Sequence, residues 1–124
     1  MKITSFNPLI VSKDSQDILE VFEALGFERR HLSEDIEQRD DLASIRMRDA
    51  NGFHVDITHS DRVPQTITAI RMNVDNFDEA YELLKSKGFV NTRGDKITDT
   101  GSAKATMMAS PSGFMISLIE HIKK

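Results

Sequence analysis

Apolar and polar residues follow a strand-like period in some segments of this chain and a helical period in others. Residues 3–11 are rich in apolar and β-branched side chains, which predicts a first strand. Residues 16–25 carry apolar side chains at helical spacing, and this predicts an amphipathic helix that begins after the capping segment Ser12 to Ser15 and ends at Gly26. The apolar stripe of this helix is Ile18, Leu19, Val21, Phe22 and Leu25.

Three short apolar segments after this helix predict three more strands. They cover residues 27–31, 43–48 and 53–58, and the acidic segment 31–41 between the first two is expected to be a solvated loop. The last two segments predict a hairpin, because Asn51-Gly52 tolerates the positive φ angles of a tight turn. The order predicted for the first half is therefore βαβββ.

The second half of the chain repeats this order. A strand at 66–74 precedes a helix at 77–87, which Asp75 or Asn76 is expected to cap. Strands are predicted at 89–92, 105–109 and 114–119, with a polar loop at 93–104. Pro111-Ser112-Gly113 supplies the turn of the second hairpin.

Matching residues recur at a nearly constant offset. Gly26-Phe27 returns as Gly88-Phe89 after 62 residues, and Asn51-Gly52 returns as Ser112-Gly113 after 61. Two copies are too few for a solenoid and instead indicate a duplicated unit. We therefore predict a single α+β domain of two βαβββ modules, 1–62 and 63–124, that meet at Val63-Pro64.

The paired βαβββ order and several short motifs resemble the vicinal oxygen chelate superfamily, which includes glyoxalase I, bleomycin-resistance proteins and extradiol dioxygenases. The motifs are Val11-Ser12-Lys13-Asp14, Leu25-Gly26-Phe27, Gly52-x-x-Val-Asp56 and Gly113-x-x-Ile-Ser117. The resemblance covers essentially the whole chain. It implies a curved mixed sheet around a concave pocket, with the helices outside, and in many relatives a dimer.

Enzymes of this superfamily hold a metal ion with four positions, in the first and last strand of each module. The resemblance carries these positions onto Asn7, Asp56, Ala69 and Ser117. A catalytic metal site generally needs three or more imidazole or carboxylate ligands, and here only Asp56 is a strong one. The resemblance therefore implies a protein without the metal, and no cofactor is predicted.

Strand alternation sorts the residues that face away from the helices. Residues i and i+2 share a face, so the polar residues of each strand lie opposite its apolar set. The apolar sets include Phe53 and Phe114. The predicted pocket lining is Asn7, Leu9, Arg46, Arg48, His54, Asp56, Arg71, Asn73, Met107, Met115 and Ser117.

Two kinds of chemistry are open at this lining. Three arginines could together bind a carboxylate or phosphate, or one of them could pair with Asp56 while the others stay solvated. His54 and Asp56 share a face, so they could hold a metal, act as an acid–base pair, or form a hydrogen-bonded surface pair. His59 and Asp61 are expected to contact only solvent.

Composition narrows the function further. Sixteen Lys and Arg against twenty Asp and Glu give a net charge of −4, which disfavours a general nucleic-acid surface. The chain has no cysteine, so disulfides, thiolate metal sites and cysteine nucleophiles are excluded. The start has no signal-peptide core and no apolar run approaches a membrane span, so a cytoplasmic protein is expected.

The sequence therefore predicts a metal-independent, cytoplasmic and homodimeric protein that binds a small organic molecule, anionic or aromatic in character. A metal-dependent lyase, isomerase or dioxygenase built around Asp56 and His54 is the alternative. A third possibility is a scaffold or regulatory subunit without a ligand. Function depends on the site and not on the fold, so the sequence leaves these alternatives open.

Overall fold

A computed structural model describes residues 1–31 and 42–122 of the chain. The predicted acidic loop lies almost wholly outside this part of the chain. The described residues form two helices, α1 (Gln16–Ala24) and α2 (Phe77–Ser86), and nine strands. The strands are β1 (Ile3–Ser12), β2 (Glu28–His31), β3 (Leu42–Arg48), β4 (His54–Ser60), β5 (Ile67–Val74), β6 (Val90–Asn91), β7 (Thr98–Asp99), β8 (Ala103–Ala109) and β9 (Met115–His121).

The chain folds as two compact units. The first, here called the Asp56 unit, is Asn7–Thr68, and the second, the Ser117 unit, is Met1–Phe6 together with Ala69–Lys124. The unit boundaries lie inside β1 and β5, whereas the two sequence repeats meet at position 63. The division of the chain into modules 1–62 and 63–124 therefore remains a prediction about the repeat.

The Asp56 unit has the strand order β2-β3-β4-β1. β2, β3 and β4 pair antiparallel, and β4 pairs parallel with β1 in a register that places Leu9 beside Asp56. The α1 residue Leu19 packs on Met47, Val55 and Ile57, which project from one face of β3 and β4. These contacts confirm the alternation predicted for the two strands.

The Ser117 unit repeats this arrangement with the order β5-β9-β8-β6. β5 and β9 pair parallel with Arg71 beside Ser117, which matches the Leu9–Asp56 pairing after the same offset. Phe77 and Ala80 of α2 pack on one sheet face, whose buried residues are Met72, Val74, Met108, Ile116 and Leu118. The mixed α+β fold with paired βαβββ order is therefore confirmed.

Both helices end in the same way, at the predicted glycines. Gly26 and Gly88 have φ angles of 99° and 93°, a region that L side chains avoid. The Phe27 N–H donates to the Phe22 carbonyl, and the Phe89 N–H donates to the Leu84 carbonyl, each at 3.0 Å. This is the Schellman arrangement, in which a glycine reverses the chain and satisfies free helix carbonyls.

Several predicted boundaries differ from the structure. Phe53 and Phe114 were assigned to the apolar, helix-facing sets, but both residues precede their strands and are 68% and 47% exposed. In each turn, one residue binds both backbone groups of the phenylalanine: Asp49 holds Phe53 and Ser110 holds Phe114. These hydrogen bonds close the hairpin one residue later than alternation predicted.

The polar loop predicted at 93–104 is also wrong in part. It contains β7 and the first residues of β8, which pair antiparallel with each other. Asn91 and Thr106 fix the segment before β7. Thr106 Oγ1 donates to Asn91 Oδ1 at 2.7 Å, and Asn91 Nδ2 donates to the Lys96 carbonyl at 2.9 Å. The pattern gave no sign of this strand because polar residues here bond to backbone and not to a core.

Candidate functional site

The Asp56 unit has a buried carboxylate, Asp56, on the sheet face opposite α1. Asp56 lies directly across from Arg46 on β3 and beside Leu9 on β1. Directly opposed residues on neighbouring strands point to the same side of a sheet. The strand register alone therefore brings the guanidinium and the carboxylate together.

Arg46 and Asp56 form a two-pronged ion pair. Arg46 Nε donates to Asp56 Oδ1 at 2.8 Å, and Arg46 Nη2 donates to Asp56 Oδ2 at 3.1 Å. The Asp56 side chain is 0% exposed and the Arg46 side chain 31% exposed, so the carboxylate lies inside and the arginine reaches toward solvent. This geometry is the strong form of an arginine–carboxylate interaction.

Asn7 holds the same carboxylate from β1. Its Nδ2 donates to Asp56 Oδ2 at 3.0 Å and to the Pro8 carbonyl at 2.9 Å. Both partners are acceptors, so the orientation of the amide is fixed with the nitrogen toward Asp56. Asn7 Oδ1 is buried and has no hydrogen-bond donor among the residues that the structure describes.

The ion pair changes the acidity of the arginine. Hydrogen bonding to Asp56 raises the pKa of Arg46 above its ordinary value, burial acts in the opposite direction, and the Coulomb attraction of Asp56 raises it further. Arg46 therefore keeps its positive charge at neutral and moderately alkaline pH.

His54 Nδ1 lies 3.4 Å from the Gly52 carbonyl. The hydrogen-bonded pair of His54 and Asp56 stays a prediction. One of the predicted arginines, Arg46, pairs with Asp56, and anion binding by the arginines stays a prediction. Arg48 lies across from His54 and is exposed.

The corresponding row in the Ser117 unit has different chemistry. Arg71, Ser117 and Met107 lie side by side on β5, β9 and β8, at the positions that Leu9, Asp56 and Arg46 occupy in the other repeat. All three are half-buried. A hydroxyl and a thioether thus replace the carboxylate and guanidinium.

The other two predicted lining residues of this unit are also half-buried. Met115 lies across from Ala109, and Asn73 lies beside Ile119. Asn73 Oδ1 is buried without a donor among the described residues. Alternation thus placed these side chains on the face opposite the α2 core, and their part in binding stays a prediction.

The described residues at these four positions do not fit the metal ion that enzymes of the superfamily hold. Asp56 has both oxygens bound by Arg46, and Asn7 turns a hydrogen-bond donor and not an oxygen toward that carboxylate. In the other unit, Ala69 has no donor atom and Ser117 offers one neutral hydroxyl. Within residues 1–31 and 42–122, no group of three His, Cys, Asp or Glu could hold an ion.

Pattern reasoning missed one residue at this face. Arg30 of β2 lies directly across from Arg46, and Arg30 Nη2 donates to Glu28 Oε2 at 3.1 Å. The segment 27–31 was predicted to be a strand, but its register against β3 depends on a connection that the sequence pattern does not fix. Only a known pairing register between β2 and β3 identifies Arg30 as the residue across from Arg46.

The other histidines are at the surface. His59 Nε2 lies 3.0 Å from Asp61 Oδ1, so this exposed residue has a side-chain partner beyond solvent. Within the described part of the chain, neither helix is long and apolar enough to cross a membrane.

Comparison with known proteins gives the fold. No protein-family model matches the chain, and no curated protein matches it. Among solved structures, a glyoxalase/bleomycin resistance protein/dioxygenase superfamily member from Vibrio splendidus 12B01 matches with a TM-score of 0.60 and 14% identity, over 96% of this chain and 99% of that one. The chain has the vicinal oxygen chelate fold.

Two further structures with the vicinal oxygen chelate fold match over most of both chains. A methylmalonyl-CoA epimerase matches with a TM-score of 0.63 and 19% identity, over 94% of each chain. A variant of the Streptomyces coelicolor methylmalonyl-CoA epimerase, in complex with 2-nitronate-propionyl-CoA, matches with a TM-score of 0.64 and 15% identity, over 98% of this chain and 100% of that one. At these identities the likeness establishes the fold alone.

Proposed function

We propose that this protein binds a small organic molecule without a metal ion. The observation that carries the proposal is the Arg46–Asp56 ion pair. The resemblance places a metal ligand at position 56, and here that carboxylate is neutralised by a guanidinium from the neighbouring strand. A metal ion would have to displace Arg46 from both Asp56 oxygens and leave two cations side by side, which opposes metal binding.

The alternative is a metal-dependent lyase, isomerase or dioxygenase with Asp56 and His54 as ligands. It requires His54 to turn from the Gly52 carbonyl and Asp56 to release Arg46. One methylmalonyl-CoA epimerase structure with this fold is in complex with 2-nitronate-propionyl-CoA, which supports ligand binding as a use of the fold. Its low identity transfers no residue role to this chain.

A metal titration tests the proposal. Thermal unfolding is recorded with stoichiometric Ni²⁺, Zn²⁺, Mn²⁺ or Fe²⁺, because an ion that binds the native state raises the midpoint. We expect no shift in the protein and none in Asp56→Asn. The control is His59→Ala, which removes the exposed His59–Asp61 pair and any weak binding there. A shift that survives His59→Ala and vanishes in Asp56→Asn would overturn the proposal.

Binding itself is tested by a screen of small aromatic and aliphatic compounds, with and without a negative charge, read by the same thermal shift. We expect at least one compound to raise the unfolding midpoint in metal-free buffer. If no compound stabilised the protein, the result would contradict the proposal and favour the hypothesis of a scaffold or regulatory subunit without a ligand.

We further propose that the protein is a cytoplasmic homodimer, as the superfamily resemblance implies. Two apolar side chains near the start of β1, Ile3 and Phe6, are 52% and 61% exposed, and a partner surface would cover such residues at lower free energy than water does. Light scattering coupled to gel filtration measures the mass, and a monomer at all accessible concentrations would exclude this part of the proposal.

A further inference from the structure

We propose that the outer edge of the Arg46 guanidinium, together with Arg30 and Arg48, binds an oxyanion group of the ligand, a carboxylate or a phosphate. The inference rests on the proposed small-molecule function and names the chemical class of the molecule. It concerns only the Asp56 unit and the sheet face opposite α1. The three arginines lie on two neighbouring strands, β2 and β3.

The first argument is the geometry of the ion pair. A guanidinium has five N–H donors. Two of its edges each present a pair of parallel N–H groups, and such a pair matches the two oxygens of an oxyanion. Asp56 uses the edge formed by Nε and Nη2, which leaves both N–H groups of Nη1 and one of Nη2. No acceptor for Nη1 is found among the described residues, and the side chain is 31% exposed. The outer edge is thus held in a fixed direction.

The second argument is a like-charge pair. Arg30 and Arg46 lie directly across from each other on β2 and β3, and like charges in this position destabilise a sheet. Arg48 lies two residues along β3 and therefore on the same face, roughly 7 Å from Arg46 along the strand. Two guanidinium groups in this position repel each other, and a bound anion would lower that repulsion.

The local charge supports this choice of ligand. Among the described residues on this face of β2, β3 and β4, three are arginines and two are carboxylates, namely Arg30, Arg46, Arg48, Glu28 and Asp56. Asp56 is fully buried, whereas the Glu28 side chain is 72% exposed, and ion pairs as exposed as Glu28–Arg30 contribute little in water. The face is therefore locally positive on a chain whose net charge is −4, which is the arrangement that concentrates a small anion.

Asp56 is then a positioning residue and not a ligand of the anion. It lies behind Arg46 and fixes the guanidinium plane through two hydrogen bonds, while Asn7 fixes Asp56 in turn. A pre-oriented donor loses little conformational entropy when the ligand arrives. Arg48, which is exposed and has no such support, adds charge and not orientation.

The test uses NMR of arginine side chains on the whole protein. The Arg46 Nε–Hε resonance is assigned by its loss in Arg46→Lys, and it is followed during titration with inorganic phosphate, benzoate, or sodium chloride at equal ionic strength. We expect a saturable shift with phosphate or benzoate and none with chloride. The two oxyanion arms distinguish a phosphate from a carboxylate as the better ligand.

Matched variants locate the site. Arg48→Ala and Arg30→Ala are each expected to weaken binding about fivefold, the effect of losing one partly exposed charge contact. Arg29→Ala is the control, because Arg29 pairs across from Met47 and so lies on the opposite face of the same strand, with equal charge. Equal weakening in all three variants would show general charge attraction and overturn the inference.

The failures of the two proposals are distinguishable. An Arg46 resonance that responds to neither oxyanion, while a neutral compound still stabilises the protein, overturns the anion site and leaves metal-independent binding intact. Stabilisation by a divalent ion that depends on Asp56 overturns the proposed function itself. Both measurements use the full chain.

Discussion

Arg46 donates two hydrogen bonds to Asp56 across an antiparallel strand pair, and the carboxylate that receives them is completely buried. In the other repeat the same two positions carry Met107 and Ser117, which also lie directly across from each other. One repeat thus has an ion pair where the other has two uncharged side chains. The positions that the resemblance assigns to a metal ion have diverged in both repeats, in different ways.

The ion pair makes the two side chains depend on each other for stability. We expect Arg46→Ala to lower the free energy of unfolding by about 3 kcal/mol, because it removes two hydrogen bonds and a positive charge from a fully buried carboxylate. The exposed neighbour on the same strand is the control, and Arg48→Ala should change stability by less than about 0.5 kcal/mol. Urea unfolding at neutral pH measures both.

A double variant separates the cost of an unpaired charge from the worth of the pair. Replacing both partners with apolar residues, in Arg46→Met with Asp56→Leu, should recover most of the stability lost in Arg46→Ala, since a buried pair can often be replaced at little cost. If the double variant is less stable than Arg46→Ala, the pair and not the orphaned charge provides the stability.

The raised pKa of Arg46 predicts how this stability depends on pH. A basic group whose pKa is higher in the folded than in the unfolded chain stabilises fully below its unfolded pKa and loses that effect only as pH rises through the folded value. Both values for Arg46 lie at extreme alkaline pH. The stability difference between the protein and Arg46→Ala should therefore not decline between about pH 8 and pH 10.

Arg46→Lys supplies the contrast for this experiment. The ordinary pKa of lysine is about 10.4, far below that of arginine. The stabilising charge of a lysine beside Asp56 is therefore lost as the pH rises above about 10.4. The stability gap between the protein and Arg46→Lys should widen above about pH 10. A gap to Arg46→Ala that closes already near pH 9 would contradict the assignment of the charge to Arg46.

The helices, strands and faces were predictable because each depends on local pattern. Leu19 packs on Val55 and Ile57, as the helical and strand periods together require. Asp56 and Arg46 were predicted to share a face for the same reason, and the offset between Gly26 and Gly88 revealed the repeat. Such features need only the sequence within one element or its copy.

The sequence pattern did not determine the register between strands or the side-chain contacts at the site. Whether Asp56 bonds to Arg46 or to His54 depends on which strands are neighbours and on side-chain reach, and alternation gives neither. Arg30 was missed because its partner is set by the β2–β3 register. Phe53 was misplaced because a hydrogen-bonded turn, which apolar patterning does not report, delays the strand.

The two helix starts give a matched test of capping at equivalent places in the repeat. Asn76 Oδ1 accepts a hydrogen bond from the Glu79 N–H at 3.1 Å, whereas Ser15 at the start of α1 makes no side-chain cap bond. The sequence predicted capping at both helices, and at α1 the bond comes from Asp14, whose Oδ1 accepts from the Gln16 N–H at 3.3 Å, and not from Ser15. Asn76→Ala should therefore cost about 1 kcal/mol of unfolding free energy, the usual value of such a cap.

Ser15→Ala is the control for this comparison, and it should change stability by less than about 0.5 kcal/mol because no hydrogen bond is lost. Asn76→Asp should retain the bond to the Glu79 N–H and gain from the partial positive charge at the helix N-terminus, but it loses the Asn76 Nδ2–Glu79 Oε2 hydrogen bond and places two carboxylates together, so it should recover only part of the stability lost in Asn76→Ala. Chemical unfolding of the three variants measures the differences. Equal losses in Asn76→Ala and Ser15→Ala would mean that the side-chain bond of Asn76 contributes nothing, and that backbone conformation alone starts both helices.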